Sequence, residues 1–245
     1  MRQSELYTKT SKNIPSDEVS LNATLLIRGG FIHKEMAGVY AYLPLGLRVI
    51  EKIKSIIQEE MNAIGGQEIL LASLQGPDLW QKNDRWDDKK ISIWFKDKEG
   101  KLGFAWSHEE PMIEMASHHV GSYKDLPVFV YQFKNKFRNE PRAKSGLLRT
   151  REFLMKDLYS FTATQEDLDT FYEKCAKAYE KIFKRTGIGN KTYRTFASGG
   201  VFTKYSHEFQ SVSEAGEDTI YLDPKKKIAI NKEIYTPEIV KSLGL

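Results

Sequence analysis

The residues whose types and spacing could do chemistry crowd into one stretch, Gln132 to Phe161, which reads QFKNKFRNEPRAKSGLLRTREFLMKDLYSF. Between Lys134 and Lys156 stand eight basic side chains, Lys134, Lys136, Arg138, Arg142, Lys144, Arg149, Arg151 and Lys156, against two acids, Glu140 and Glu152. That window is +6 while the whole chain is +4, so the positive charge is local and a local polyanion is its natural partner. Alternation predicts a strand from Val128 to Arg138, a loop from Asn139 to Gly146, and a return to strand spacing from Leu147 to Phe153, which together make an antiparallel hairpin with a long basic loop. Residues two apart on a strand share a face, so Arg138 goes with Glu140, and Arg149 and Arg151 with Phe153. A guanidinium grips phosphate through paired hydrogen bonds, a carboxylate accepts from an exocyclic amine, and an aromatic ring stacks on a base, so this set suits a nucleotide. A surface hairpin whose arginines and glutamates only pair with each other is the alternative that spacing leaves open.

A second cluster is Trp106-Ser107-His108-Glu109-Glu110-Pro111. One reading is a helix start, with Ser107 as cap and the two carboxylates at the positive end of a helix from Met112 to His119. The other is an ammonium pocket, in which a carboxylate and a hydroxyl hold a charged amine while aromatic rings cover an apolar substituent. His118 and His119 are adjacent, so on a helix they point about 100 degrees apart, and with no third ligand in sight no metal site is expected.

The elements that must position these residues follow from hydrophobic periodicity. Short apolar runs from Ala37 to Gly46 end in a proline-glycine turn. Leu47, Ile50, Ile53, Ile57 and Met61 then recur at three- and four-residue steps, predicting a helix that Gly65-Gly66 stops. Gln67 to Leu74 is a strand candidate; Trp80 to Trp86 reads as a loop; Ile91 to Phe95 and Leu102 to Trp106 read as a hairpin. Gln165 to Thr186 predicts an amphipathic helix stopped at Gly187, packed on the sheet, followed by strands at Lys191 to Phe196 and Thr219 to Leu222. With 245 residues, 40% hydrophobic and 29% charged, the chain suits one large globular domain, or one with a small appendage. No apolar run reaches the roughly 20 residues a membrane span needs, and the first residues lack a signal-peptide core, so a cytoplasmic protein is expected. Cys175 stands alone, which excludes an intramolecular disulfide.

The string Phe137-Arg138-Asn139-Glu140, a loop, then Arg149-Thr150-Arg151-Glu152-Phe153 with Asp157 four further on, resembles motif 2 of the class II aminoacyl-tRNA synthetases. GLLRTREFLMKDLYSF is similar to the bacterial prolyl type in particular. LRVIEKIKSIIQEEMNAIGGQEILLASLQGPDLW, about 47–77, resembles motif 1, the helix and strand that build a homodimer interface in that family; the prolyl enzymes usually carry proline where this chain has Ala72. They also have a threonine, a variable residue and two glutamates at the second cluster. By position Ser107 and Glu109 are then the proline contacts, with Ser107 replacing threonine and Trp106 replacing proline. Ser206-His207-Glu208-Phe209-Gln210 is similar to a segment of the catalytic sheet, which makes Glu208 and Gln210 weak candidates for lining the site.

The resemblance implies an α+β fold, an antiparallel sheet flanked by helices, with a catalytic core over 1–222, incomplete at its C-terminus, and a linker or insertion beginning at 223–245. Motif 3 and the anticodon-binding domain are not recognised, which leaves room for a complementary C-terminal fragment as partner. It implies a proline-tRNA ligase: the proline carboxylate attacks the α-phosphate of ATP, and prolyl-adenylate then passes its acyl group to tRNA(Pro). On that mapping Arg138 neutralises the α-phosphate, Glu140 accepts from the adenine amine, Phe153 stacks on adenine, and Arg149 meets the outer phosphates. Mg2+ bridges the phosphates, and Arg142 and Lys144 contact the tRNA acceptor end. Three other readings remain: a non-catalytic module that binds nucleotide or the acceptor end, a sister class II enzyme, and an unrelated basic RNA-binding domain. A threonyl enzyme would bring zinc ligands that the cysteines and histidines here do not supply.

Overall fold

The computed structural model describes residues 2–13, 18–86, 93–141, 145–199 and 205–242. The chain divides into two units, Met1–Tyr172 and Glu173–Leu245. In the first, α1 (Leu21–Arg28) leads into the antiparallel pair β1 (Ile32–Met36) and β2 (Val39–Tyr42), then α2 (Pro44–Ala63). The expected proline-glycine turn is instead the opening of α2. Pro44 occupies its first turn, where the fixed φ suits a helix and the missing N–H has no partner to lose. After α2 come β3 (Gln67–Glu68), β4 (Leu74–Gln75), α3 (Pro77–Gln81), β5 (Phe95–Lys96), β6 (Gly103–Phe104) and α4 (Glu109–His119). The long strands β7 (Val128–Phe137) and β8 (Glu152–Phe161) follow, then α5 (Gln165–Arg185), within which the two units divide.

Gln67 to Leu74 is not one strand. β3 pairs with β7 in parallel, after which Ile69 N–H donates to the Tyr131 carbonyl at 2.8 Å and Leu71 N–H to the Gln132 side chain at 3.0 Å. A side chain thus takes over the ladder, and the strand resumes only at β4, beside β6.

β7 and β8 pair over ten antiparallel positions, from Val128 opposite Phe161 to Phe137 opposite Glu152. Alternation puts Val128, Val130, Gln132, Lys134 and Lys136 on one face with Phe153, Met155, Asp157, Tyr159 and Phe161. The first half of that face is apolar and packs Val128, Val130, Tyr159 and Phe161 against Met112, Met115 and Ala116 of α4. On the opposite face Phe129 stacks on Phe171 of α5 with ring centroids 3.6 Å apart, and the Tyr131 hydroxyl donates to Asn62 of α2 at 2.7 Å. Helices therefore cover both faces, and the polar half of the first face is left for the site.

The strand expected from Leu147 to Phe153 begins only at Glu152. Ser145 and Gly146 both adopt left-handed φ, 59° and 60°, and Gly146–Leu148 is a 3-10 turn. Asn22 of α1 explains this: its side chain donates to the Ser145 carbonyl at 2.8 Å and accepts from Leu147 N–H at 3.0 Å, consuming groups a ladder would need. A Cβ on Gly146 would lie 2.2 Å from Asn22 Oδ1, so only glycine fits the clamp.

In the second unit β9 (Thr192–Ser198), β10 (Tyr205–Ser211), β11 (Ile220–Asp223) and β12 (Ile228–Asn231) form a sheet in the order β10-β9-β12-β11, with β12 parallel to β9, before α6 (Pro237–Ser242). Gly187, at φ 88°, follows the α5 terminus as expected. Tyr179 and Phe183 of α5 pack on Phe209 of β10, with centroids 5.7 and 5.6 Å apart. The segment from Asp223, expected to start a linker or insertion, contributes β12, whose Ala229, Ile230 and Asn231 are buried.

Candidate active site

Arg138 leaves the end of β7 with its backbone N–H bonded to the Arg151 carbonyl at 2.8 Å. Its guanidinium lies over the Phe153 ring, 5.3 Å from the centroid, and its Nε donates to the Trp106 carbonyl at 3.3 Å. Burial pulls Arg138 below its ordinary value while Glu140 and Asp157 act the other way; an arginine so placed stays charged at neutral pH. Arg149 and Glu140 approach to 3.9 Å with the arginine 46% exposed, a separation and exposure that make the pair weak. The shared face expected for Arg149, Arg151 and Phe153 does not form, because Arg149 and Arg151 precede β8. Arg151 is a strut: it donates to the carbonyls of Glu140 at 3.1 Å and Ala37 at 3.3 Å, and its N–H to Gly38 at 2.7 Å.

The second cluster opens α4. Ser107 Oγ accepts from Glu109 N–H at 3.3 Å, so the helix-start reading holds in part, although α4 begins at Glu109 rather than Met112 and His108 occupies the cap position. Glu109 remains half-buried at the first helical position. Burial and the neighbouring Glu110 push its carboxyl up, and Arg85 opposes them. Glu110 is buried and takes Arg85 at 2.6 Å and Asn83 at 2.7 Å on one oxygen; its other oxygen is buried with no hydrogen-bond partner among the described residues. Arg85 is held by Trp94, whose indole N–H donates to the Arg85 carbonyl at 2.9 Å. Trp80, Trp86, Trp94 and Trp106, all four tryptophans of the chain, make one cluster.

Beneath both groups runs a buried polar network. Lys136, fully buried, contacts His108 Nδ1 and the Asp157 carboxylate. His108, also fully buried, has Nε2 3.0 Å from the Ala72 carbonyl, so Nε2 carries the proton and Nδ1 accepts from the ammonium. Burial, then Lys136, lowers His108 to about 4, consistent with a neutral ring. Gln132 donates to Asp157 at 2.9 Å and accepts from Leu71 N–H. Tyr159, on the same face, is pushed up by burial and then by Asp157, Glu109 and Glu110, and stays a neutral phenol.

The structure thus brings Arg138, Phe153, Glu140 and Arg149 together and joins them through Trp106 to the segment holding Ser107 and Glu109. Glu208 and Gln210 lie two apart on β10 in the second unit, where the Gln210 amide donates to Glu208 at 2.6 Å; β10 pairs there with β9. Arg142 and Lys144 lie outside the described residues. Sequence reasoning missed the buried network of Lys136, His108 and Gln132. The available signal was phase, since Gln132 and Lys136 fall on the inward beat of the same alternation that carries Arg138.

Among the described residues no helix is long and apolar enough to cross a membrane. A family model for the tRNA synthetase class II core domain (G, H, P, S and T) matches residues 93–230. A proline-tRNA ligase from Prochlorococcus marinus (strain MIT 9211) is 46% identical over 239 residues, covering 95% of this chain and 40% of that protein. One from Dehalococcoides mccartyi (strain ATCC BAA-2266 / KCTC 15142 / 195) is 43% identical over 235 residues, covering 95% and 41%. The chain therefore spans about two fifths of the length of these curated relatives. Among solved structures, the prolyl-tRNA synthetase of Cryptosporidium parvum complexed with L-proline and AMP aligns at TM-score 0.62 and 16% identity, over 74% of this chain and 38% of that one. The Giardia lamblia prolyl-tRNA synthetase in complex with prolyl-adenylate aligns at TM-score 0.58 and 22% identity, over 68% and 35%. At such identities the likeness is one of fold, an α+β core with an antiparallel hairpin sheet between helices. The chain belongs to the family of class II tRNA synthetase core domains.

Proposed function

We propose that this chain carries the proline- and ATP-binding first part of a proline-tRNA ligase catalytic core. One observation carries the reading: the Arg138 guanidinium spans from the Phe153 ring to the Trp106 carbonyl, one residue before Ser107. It thereby stands between an adenine-stacking ring on one side and a hydroxyl-carboxylate pair suited to a secondary ammonium on the other. ATP enters as its magnesium complex, with Mg2+ bridging phosphates as part of the substrate. Phe153 stacks on adenine and Glu140 accepts from its amine. Arg149 meets the outer phosphates. Glu109 pairs with the proline ammonium and Ser107 adds a hydrogen bond. Arg138 neutralises the α-phosphate as the proline carboxylate attacks, pyrophosphate leaves, and prolyl-adenylate remains for the terminal ribose of tRNA(Pro). Positioning and charge neutralisation suffice for both steps, with no covalent enzyme nucleophile.

The same reading places the protein in the cytoplasm and makes it a homodimer through the motif 1 region. Val49 and Ile53 share one side of α2 and are 46% and 41% exposed, apolar side chains that a second copy would cover. Arg142 and Lys144 are assigned to the tRNA acceptor end, Glu208 and Gln210 stay as weak candidates for lining the site, and a complementary C-terminal fragment is a candidate partner. The test is proline-dependent exchange of pyrophosphate into ATP. Exchange that requires proline and disappears in Arg138→Ala supports the reading. Nucleotide binding without exchange favours the non-catalytic module, and exchange driven equally by another amino acid refutes the assignment of proline.

A further inference from the structure

The polar network beneath the site closes on itself. From the Ala72 carbonyl it runs to His108, to Lys136, to Asp157, to Gln132 and back to the Leu71 N–H, and the Leu71-Ala72 peptide completes the ring. His108, Lys136 and Gln132 are 0% exposed and the Asp157 side chain 11%, so water does not compete for these bonds. The ring's corners lie on three different segments, two of which carry candidate site residues. His108 lies between Ser107 and Glu109. Lys136 precedes Arg138 by two residues on β7 and faces Phe153 across the hairpin. Leu71-Ala72 belongs to the segment that runs from β3 to β4.

On the reading given under Proposed function, none of these corners touches a reacting atom, so their effect must pass through neighbours. We propose that Lys136 is a positioning residue whose ammonium sets the spacing between the Ser107-Glu109 segment and the Arg138-Phe153 hairpin, aligning the amino-acid carboxylate with the α-phosphate. Lysine suits the place because a compact ammonium has three donors and can serve a ring nitrogen and a carboxylate together. Guanidinium is too wide and planar for the same gap. A methionine fills the volume but leaves Asp157 buried without its counter-charge.

The test uses the full chain and three probes in calorimetric titrations: ATP, L-proline, and the sulfamoyl analogue of prolyl-adenylate, which links both halves. The variants are Lys136→Met, Lys136→Met with Asp157→Asn, and His108→Gln. The double variant removes both buried charges together, which keeps folding separable from positioning. His108→Gln retains one donor and one acceptor. Because the linked analogue must satisfy both halves in one geometry while each half alone can shift with its own segment, the double variant is expected to bind the analogue at least about 10-fold more weakly while each half alone changes less than about threefold. His108→Gln stays near the parent. Equal losses for all three probes, or an unchanged analogue affinity in the double variant, overturn the proposal.

Amide hydrogen exchange without ligand separates this idea from the functional reading. Protection is expected to fall at Leu71, Glu109 and Phe137 in Lys136→Met and to hold elsewhere in the hairpin. Loss throughout the chain, or none, overturns the ring. A parent chain that binds no probe, with exchange losses confined to those amides, refutes the proline reading and supports the ring.

Discussion

Replacing Arg85 by methionine isolates the contribution of one buried carboxylate. Glu110 is 9% exposed and Arg85 22%, and Arg85 and Asn83 share a single Glu110 oxygen. Removing the arginine leaves a buried charge with one neutral donor. Breaking a buried pair from one side costs about 3–5 kcal/mol, and the retained Asn83 bond and partial exposure of Arg85 put this case near the lower end, about 3 kcal/mol. For a unit of this size each kcal/mol moves the thermal midpoint by about 2–4 °C, so circular dichroism should record a fall of about 6–12 °C. Arg85→Met with Glu110→Met should recover most of it, since no lone charge is then buried. The pH dependence has a definite sign. Glu109 is raised in the fold, so its contribution to stability is present below its ordinary value and is lost as pH rises through the raised one. Arg85 opposes that rise, so its removal extends the loss upward, and the deficit of the single variant should be larger at pH 8 than at pH 5. A midpoint change under about 2 °C, or a deficit that grows on acidification, would refute the argument.

Glu109→Gln should weaken proline binding about 10- to 100-fold, the worth of a charge-assisted hydrogen bond, with ATP affinity unchanged in calorimetry. In the parent, because burial and Glu110 raise Glu109, proline affinity should begin to fall on acidification above the ordinary carboxylate range; a fall confined to more acidic pH contradicts its burial. Phe171→Ala removes a buried ring stacked on Phe129 and should cost about 3 kcal/mol in urea unfolding, whereas a loss under about 1 kcal/mol would mean the helix packs elsewhere. Gly146→Ala should cost at least about 1 kcal/mol for its left-handed backbone alone and should speed amide exchange at Leu147, since the new Cβ displaces Asn22. Unchanged exchange there would remove the clamp from the account.

The strongly periodic elements were legible in the sequence. The amphipathic α5 with its glycine stop and the alternation of β7 each record burial of one face, whereas the stripe on α2 located a helix of which Met61 is buried while Leu47 and Ile53 stay exposed. The segment from Leu147 to Arg151 was misread for a physical reason: Asn22, more than 120 positions earlier in the chain, occupies the backbone groups that local spacing assigns to a ladder. Gln67 to Leu74 failed likewise, through Gln132. Charge and spacing singled out Arg138, Glu140, Arg149 and Phe153 as candidates, which the structure draws together, and the family resemblance added Ser107 and Glu109. Lys136 was counted there only as surface charge. Its neutralisation by Asp157 and its contact with His108 depend on strand register, which composition does not carry, and the same is true of the strut formed by Arg151.

The gathering of every indole into one place has an optical consequence. Trp80 and Trp94 meet edge-on at 5.2 Å, Trp86 and Trp94 lie 4.8 Å apart, and Trp106 is 5.5 Å from Trp80 while its carbonyl receives Arg138. At such separations excitation migrates among the rings, so the chain's tryptophan emission comes from one coupled emitter rather than an average over distant sites. Trp106 precedes Ser107, and its backbone carbonyl is the one that receives Arg138. A ligand that draws Arg138 off the Trp106 carbonyl removes a hydrogen bond from the backbone that carries one of the four rings, so native tryptophan emission is the unlabelled signal to follow by stopped flow.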